Sequence, residues 1–207
     1  MSTMLYIQAS PRGARSHSTA VADAFIETYK EKHAGTEIVT LNLFDADLPA
    51  FDGPALDAKY KIMHGQELSE EEKTAWTAIE KVIAEFKAAD LYVLAVPMWN
   101  FGVPYRLKHY VDVVTQPGLT FSFTPEQGYK GLVTGKPAVA VYARGGEYPA
   151  DSEFDLQKKY VETFLGFVGF TDIRSVLVEP TLMGGPETVK DKHNAAIADA
   201  RELAGSL

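Results

Sequence analysis

The run Leu91-Tyr92-Val93-Leu94-Ala95-Val96 is apolar at every position. Successive side chains of a strand point to opposite faces, so such a strand must be covered on both, and helices that cross over between parallel neighbours do this. The flanking sequence supplies them. Met4 to Ala9 is strand-like, and within Thr19 to Glu31 the residues Val21, Ala22, Phe25, Ile26 and Tyr29 recur at helical spacing. Glu37 to Leu43 alternates as a second strand, and Ser69 with Glu72 predicts a capping box on a helix through Trp76, Ile79, Val82, Ile83 and Phe86. After the central strand, Leu107, Tyr110, Val111 and Val114 predict a helix with Pro104 in its first turn. Ala138 to Ala143 reads as a fourth strand, Phe154 to Val168 as a helix, Ile173 to Val178 as a fifth strand and Glu187 to Leu203 as the last helix. The pattern predicts one α/β domain over residues 1–207, a doubly wound, five-stranded parallel sheet with helices on both faces. Leu48 to Gly65 reads as irregular apart from one short helical piece. Pro117 to Lys136 reads as too glycine-rich for regular structure, and a connection of that length is more often functional than idle.

Composition removes several functions. The formal net charge of -8 leaves no basic stripe for nucleic acid. The chain has no cysteine, which excludes disulfides, thiolate nucleophiles, thiolate metal sites and iron–sulfur clusters. Met1 to Tyr6 carries no basic, cleavable leader pattern, and no apolar run approaches the roughly 18 residues that span a bilayer. A soluble cytoplasmic protein is expected. The histidines stand at 17, 33, 64, 109 and 193 with no evident carboxylate pairing and no metal-ligand spacing, so no metal site and no catalytic titrating residue is assigned.

In an open α/β sheet the ligand sits at the carboxyl ends of the strands, where the strand order reverses. Three unusual loops fall there. Ser10 to Thr19 joins the first strand to the first helix and is rich in hydroxyls; it lacks the Gly-Lys-Ser/Thr of a phosphate-binding P-loop and the three glycines of a dinucleotide fingerprint. Its serines suit either ordinary helix capping or the grip of one terminal phosphate monoester. Pro97-Met98-Trp99-Asn100-Phe101-Gly102-Val103-Pro104 follows the central strand and offers a thioether, an indole, an amide and a phenyl ring, suited to a flat polar heterocycle or simply to a turn. Arg144-Gly145-Gly146 follows the fourth strand, where two glycines permit a tight turn or close approach of a ligand to backbone N–H groups. Together the loops describe a phosphorylated, planar ligand with a polar edge.

These residues carry a resemblance. Ser10 with Ser16-His17-Ser18, Pro-Met-Trp-Asn-Phe at 97–101, Leu107-Lys108, Gly118-Leu119-Thr120-Phe121, Gly131 to Lys136, Arg144-Gly145-Gly146 and Thr163 to Phe167 resemble the FMN-dependent NADH-azoreductases, also described as NAD(P)H:quinone oxidoreductases. The resemblance implies a flavodoxin-like fold with strand order 2-1-3-4-5, one FMN per subunit, and a homodimer with both sites at the subunit interface. It implies that Ser10, Ser16, His17 and Ser18 bind the phosphate, that Met98, Trp99, Asn100 and Phe101 lie along the isoalloxazine ring, and that Arg144, Gly145 and Gly146 form the loop at its polar edge. Phe121, Phe123 and Phe164 are implied as substrate-pocket walls. NADH or NADPH would give hydride to the flavin and leave, and a quinone or aromatic azo compound would take its place, the chemistry resting on FMN. Trp99, Ala143 and Phe123 stand where the family often has tyrosine, serine and tyrosine, which bears on substrate preference. The alternatives from the residues alone are an FMN-binding electron carrier without its own nicotinamide reaction and a flavin-free phosphate-ester binder.

Overall fold

The structure, a computed structural model, describes residues 2–149 and 151–207. Met1, where the N-terminal reading begins, and Ala150 lie outside the described residues. Strands β1 (Thr3–Gln8), β2 (Glu37–Asn42), β3 (Leu91–Pro97), β6 (Pro137–Ala143) and β7 (Asp172–Val178) form a parallel sheet in the order β2-β1-β3-β6-β7. A separate antiparallel hairpin pairs β4 (Phe121–Thr124) with β5 (Gly128–Gly131). The helices are α1 (His17–Lys32), α2 (Gly53–Met63), α3 (Glu70–Ala88), α4 (Tyr105–Val114), α5 (Leu156–Val168) and α6 (Gly185–Gly205).

The period of two in β3 sorts its side chains into two cores. Leu91, Val93 and Ala95 join Met4, Tyr6, Val139 and Val141 under α1 and α6, while Tyr92, Leu94 and Val96 join Leu5, Ile7, Ala140 and Tyr142 under α3, α4 and α5. On the first face, Ala196, Ala200 and Ala204 repeat every four residues along α6, and these small side chains let it lie close to Val21, Ala22 and Phe25 of α1. The second face is filled by larger groups. Phe86 of α3 lies edge-on to Tyr92 at 5.1 Å and to Tyr110 at 6.1 Å, and the Tyr92 hydroxyl, buried with it, donates to the Phe86 carbonyl. The α3 capping box is present as the sequence indicates: Ser69 Oγ accepts from Glu72 N, and the Glu72 carboxylate accepts from Ser69 N at 2.7 Å.

Two sequence expectations need correction. Residues 53–63, read as mostly irregular, form an 11-residue helix with Pro54 in its first turn, buried through Ala55 and Ala58. Within Pro117 to Lys136, the β4–β5 hairpin replaces the expected absence of regular structure. Its four-residue strands are too short for a clear alternation, and Gly131 is there because the hairpin crosses the end of α5: a Cβ on Gly131 would stand 2.3 Å from the Gly169 Cα. Counting the hairpin changes the numbering of the sheet from the expected 2-1-3-4-5 to 2-1-3-6-7.

Candidate functional site

The order of the sheet reverses between β1 and β3, so the turns that leave these two strands open the crevice. They start side by side, with Ala9 N donating to Ala95 O at 3.0 Å, and Met98 N tying the second turn to Ala143 at the end of β6 (2.8 Å).

The β1–α1 turn begins at Ser10, passes through a short 3-10 turn at Gly13–Arg15 and reaches α1 at Ser16. Ser16 is the N-cap: its Oγ accepts from Thr19 N at 3.3 Å and lies 3.2 Å from Ser18 Oγ. Ser10, Ser16 and Ser18 are all buried although they are polar. The backbone N–H groups of His17 and Ser18 open the helix and have no intrahelical acceptor. No carboxylate occurs between Ser10 and Thr19, and Arg12 and Arg15 are exposed beside them. Buried hydroxyls, helix N–H groups and cations without an opposing anion suit a phosphate.

The β3–α4 turn is a miniature hairpin. Trp99 and Gly102 exchange backbone hydrogen bonds (3.1 and 3.0 Å), which leaves Asn100 and Phe101 as its two central residues, with φ of 46° and 73°. Asparagine tolerates this left-handed geometry; phenylalanine is disfavoured there. The strain is held from α5, where Leu156 N donates to Phe101 O at 3.1 Å and the Phe154 ring lies 5.5 Å from the Phe101 ring. On the other side Trp99 packs with Phe44 (5.8 Å) and Tyr105 (6.4 Å). Trp99, Phe101, Tyr105 and Phe154 are all exposed, so the turn presents an apolar aromatic surface to the crevice mouth. Phe44, Tyr105 and Phe154 carry no local sequence signal for this role; only their convergence from three segments reveals them.

The turn after β6 is anchored from below. Arg144, expected at the cofactor's polar edge, turns its side chain inward: Nη2 meets Asp155 at 2.7 Å, Nη1 meets Glu179 at 3.2 Å and Nε donates to Gln157 at 3.0 Å, with only 1% of the side chain exposed. Its backbone is also engaged, the N–H with Val178 and the carbonyl with Thr181. A guanidinium paired with two carboxylates inside the protein ties this loop to Asp155 and Glu179. The carbonyl of Gly145 accepts from Leu182 and Met183, whereas the amides of Gly145 and Gly146 donate to no acceptor among the described residues. They are free donors for the polar edge of a ligand.

Phe121 and Phe123 sit on the β4–β5 hairpin with Tyr129 and, from α5, Phe167; neighbouring rings lie 4.8–6.0 Å apart. Phe123 and Tyr129 are exposed. Phe164, expected beside them, is buried in the core 6.3 Å from Phe86, because it lies on the α5 face turned to the sheet while Phe167, three residues on, reaches the hairpin. Among the described residues no cluster of three or more histidine, aspartate or glutamate side chains could hold a metal, and no helix is long and apolar enough to cross a membrane.

A strained aromatic turn and a hydroxyl-rich helix N-terminus at the switch point of a parallel sheet define the flavodoxin class of ligand site. The family model described as the flavodoxin-like fold matches residues 2–204, and the chain belongs to that family. Within it, the chain is 54% identical over 207 residues, with 99% of each chain covered, to a protein of Nitratidesulfovibrio vulgaris named FMN-dependent NADH:quinone oxidoreductase. It is 52% identical over 184 residues to a Desulfotalea psychrophila protein of the same name, covering 88% of this chain and 87% of that one. Among solved structures, an azoreductase from Bacillus anthracis str. Sterne superposes with a TM-score of 0.91 at 31% identity, covering 100% of both chains. An FMN-dependent NADH-azoreductase from Bacillus anthracis str. Ames Ancestor, in complex with FMN, gives a TM-score of 0.86 at 31% identity, covering 99% of this chain and 100% of that one.

Proposed function

We propose that this chain is an FMN-dependent NADH:quinone oxidoreductase that also reduces aromatic azo compounds. The observation that carries the reading is the pairing, at one switch point, of three buried hydroxyls at a helix N-terminus with a strained aromatic turn and two free glycine amides. Bound FMN would supply the redox chemistry, accepting hydride from NADH or NADPH and passing reducing equivalents to the acceptor.

The residues divide the work by chemistry. Ser10, Ser16, His17 and Ser18 hold the phosphate through hydroxyls, helix N–H groups and an imidazole. Met98, Trp99, Asn100 and Phe101 lie along the ring system, and their preset geometry spares the binding step the cost of ordering them. The Gly145 and Gly146 amides donate at the polar edge, where negative charge develops on reduction. Arg144 holds that loop in place through Asp155 and Glu179. Phe121 and Phe123 wall an apolar space for flat acceptors, with Phe167 packed behind Phe121 at 4.8 Å. Phe123 and Tyr129 on the hairpin, and Phe154, expose large aromatic rings, which supports a homodimer that covers them, with a site at each end of the interface. The same reading makes residues 1–207 one FMN-binding unit, cytoplasmic, acting on small molecules.

The test is the visible spectrum of the FMN-loaded protein before and after anaerobic NADH. Bleaching that reverses on addition of benzoquinone supports the enzyme. Flavin that neither NADH nor NADPH reduces points to an electron carrier, and failure to retain FMN overturns the reading.

A further inference from the structure

We propose that His193 is a positioning residue for the phosphate end of this site, holding the His17 imidazole at the hydroxyl cradle so that the pair takes up one proton when a phosphate monoester binds. The inference rests on the FMN site proposed above and adds to it a residue that lies 176 positions away in sequence.

His17 is the first residue of α1, between the buried Ser16 and Ser18. Its Nδ1 lies 3.4 Å from Nδ1 of His193 on α6, and the rings meet edge to face with centroids 5.2 Å apart. The core fixes this approach, because Ala196, Ala200 and Ala204 press α6 against Val21, Ala22 and Phe25 of α1 just beyond the two rings. Two Nδ1 atoms at this distance form a hydrogen bond only if one ring donates and the other accepts, so the pair is not held with both rings charged.

The charged groups nearest in sequence to the two rings are Arg12 and Arg15 in the turn before α1, Glu187, Lys190 and Asp191 in the first two turns of α6, and Lys192, which is paired with Glu147 at 2.7 Å; Glu27, Lys30, Glu31 and Lys32 of α1 and Asp199, Arg201 and Glu202 of α6 lie further along their helices. Further along α1, Asp23 accepts from the Tyr6 hydroxyl at 2.8 Å. The strands below offer this face Met4, Val93, Ala95, Val139 and Val141, none of which titrates, and Tyr6, whose hydroxyl burial and Asp23 hold in its neutral form. Burial, then His193, then Arg12 hold the His17 pKa below the usual imidazole range, which favours its neutral form when the cradle holds no anion. A phosphate monoester brings about -1.5 to -2 charges and reverses the balance, raising that pKa. A site whose pKa is low when free and raised when bound takes up a proton on binding between the two values. Affinity therefore falls as pH rises through that window, by at most about tenfold per pH unit for one proton. Below about pH 6 the phosphate itself begins to protonate and the gain levels off.

The experiment titrates FMN into the full chain by flavin fluorescence between pH 6 and 8.5, with riboflavin as the phosphate-free probe, for the wild type, His193→Phe and His193→Gln. The wild-type Kd for FMN should weaken about fivefold or more between pH 6.5 and 8. His193→Phe keeps the edge-to-face ring without its nitrogens and should reduce the change to about twofold or less, and His193→Gln should restore affinity at pH 8 without restoring the slope. Riboflavin should show no slope in any of them. Parallel FMN profiles in wild type and either variant, or the same slope with riboflavin, would overturn the assignment of His193 while leaving the FMN reading intact. Loss of FMN binding by the wild type at every pH would overturn both. If His193→Phe fails to fold, His193→Gln and the comparison of FMN with riboflavin on the wild type still decide.

Discussion

The two ends of the crevice are built by opposite means. The Ser10–Thr19 end is polar and assembled from residues within ten positions of one another, its buried serines bonded locally: Ser10 by the Arg12 N–H, and Ser16 by the Thr19 N–H and the Ser18 hydroxyl. The Trp99–Phe101 end is exposed and aromatic, and it is held by Phe44, Phe154 and Leu156 from distant segments and by Tyr105 at the start of α4. The first is local chemistry that any helix N-terminus supplies; the second is a strained shape that persists only because other elements restrain it. One end suits a fixed anchor and the other a surface that receives varied flat molecules.

That contrast breaks most readily at the restraints. Asp155→Ala removes a partner of the buried Arg144 and the N-cap of α5 together, with Asp155 Oδ1 no longer accepting from Lys158 N. We expect a loss of about 2–3 kcal/mol in urea unfolding, because the buried guanidinium keeps only Glu179 as an anionic partner and α5 loses its cap, with weaker FMN retention following from loosening of Phe154 against Phe101. Gly131→Ala forces a Cβ into the backbone at Gly169 and should cost about 2–3 kcal/mol, shifting the hairpin that carries Phe121 and Phe123. Quinone KM, more than FMN affinity, should report it.

At the local end the effects are smaller and of another kind. Ser16→Ala loses the N-cap bond to Thr19 N and should lower stability by about 1 kcal/mol, while FMN binding weakens far more than riboflavin binding. The smallest effect sharpens the comparison by its sign. Phe101→Gly relieves the positive φ of a half-exposed residue and should raise thermal stability by about 0.5–1 kcal/mol while weakening FMN binding. A Phe101→Gly variant that loses stability would mean that its ring packs as ordinary core and that the turn stores no strain.

Much of this was legible in the chain. The apolar run at 91–96 and the helical spacing around it announce a doubly wound sheet, since no other arrangement covers both faces of that strand. Ser69 and Glu72 announce their capping box because both partners lie within one turn. The α2 helix was legible only as a short helical piece, its length masked by proline, aspartate and glycine at its start, and the β4–β5 hairpin was hidden behind strands of four residues. The resemblance puts Arg144 and Phe164 among the site residues, but the side chain of each turns into the protein, one to carboxylates on α5's cap and at Glu179, the other to Phe86.

What the sequence by itself determined is whatever depends on spacing: the elements with strong periodicity, the sheet class, the three loops at the strand ends and the hydroxyls that cap α1. Tertiary structure alone decided which way a side chain faces once long-range partners compete for it, and which distant residues meet. His193 beside His17, Phe154 against Phe101 and Gly131 against Gly169 are contacts across long separations. Periodicity assigns a residue to a face of its own element, whereas the neighbour on that face is chosen by how helices and sheet pack together.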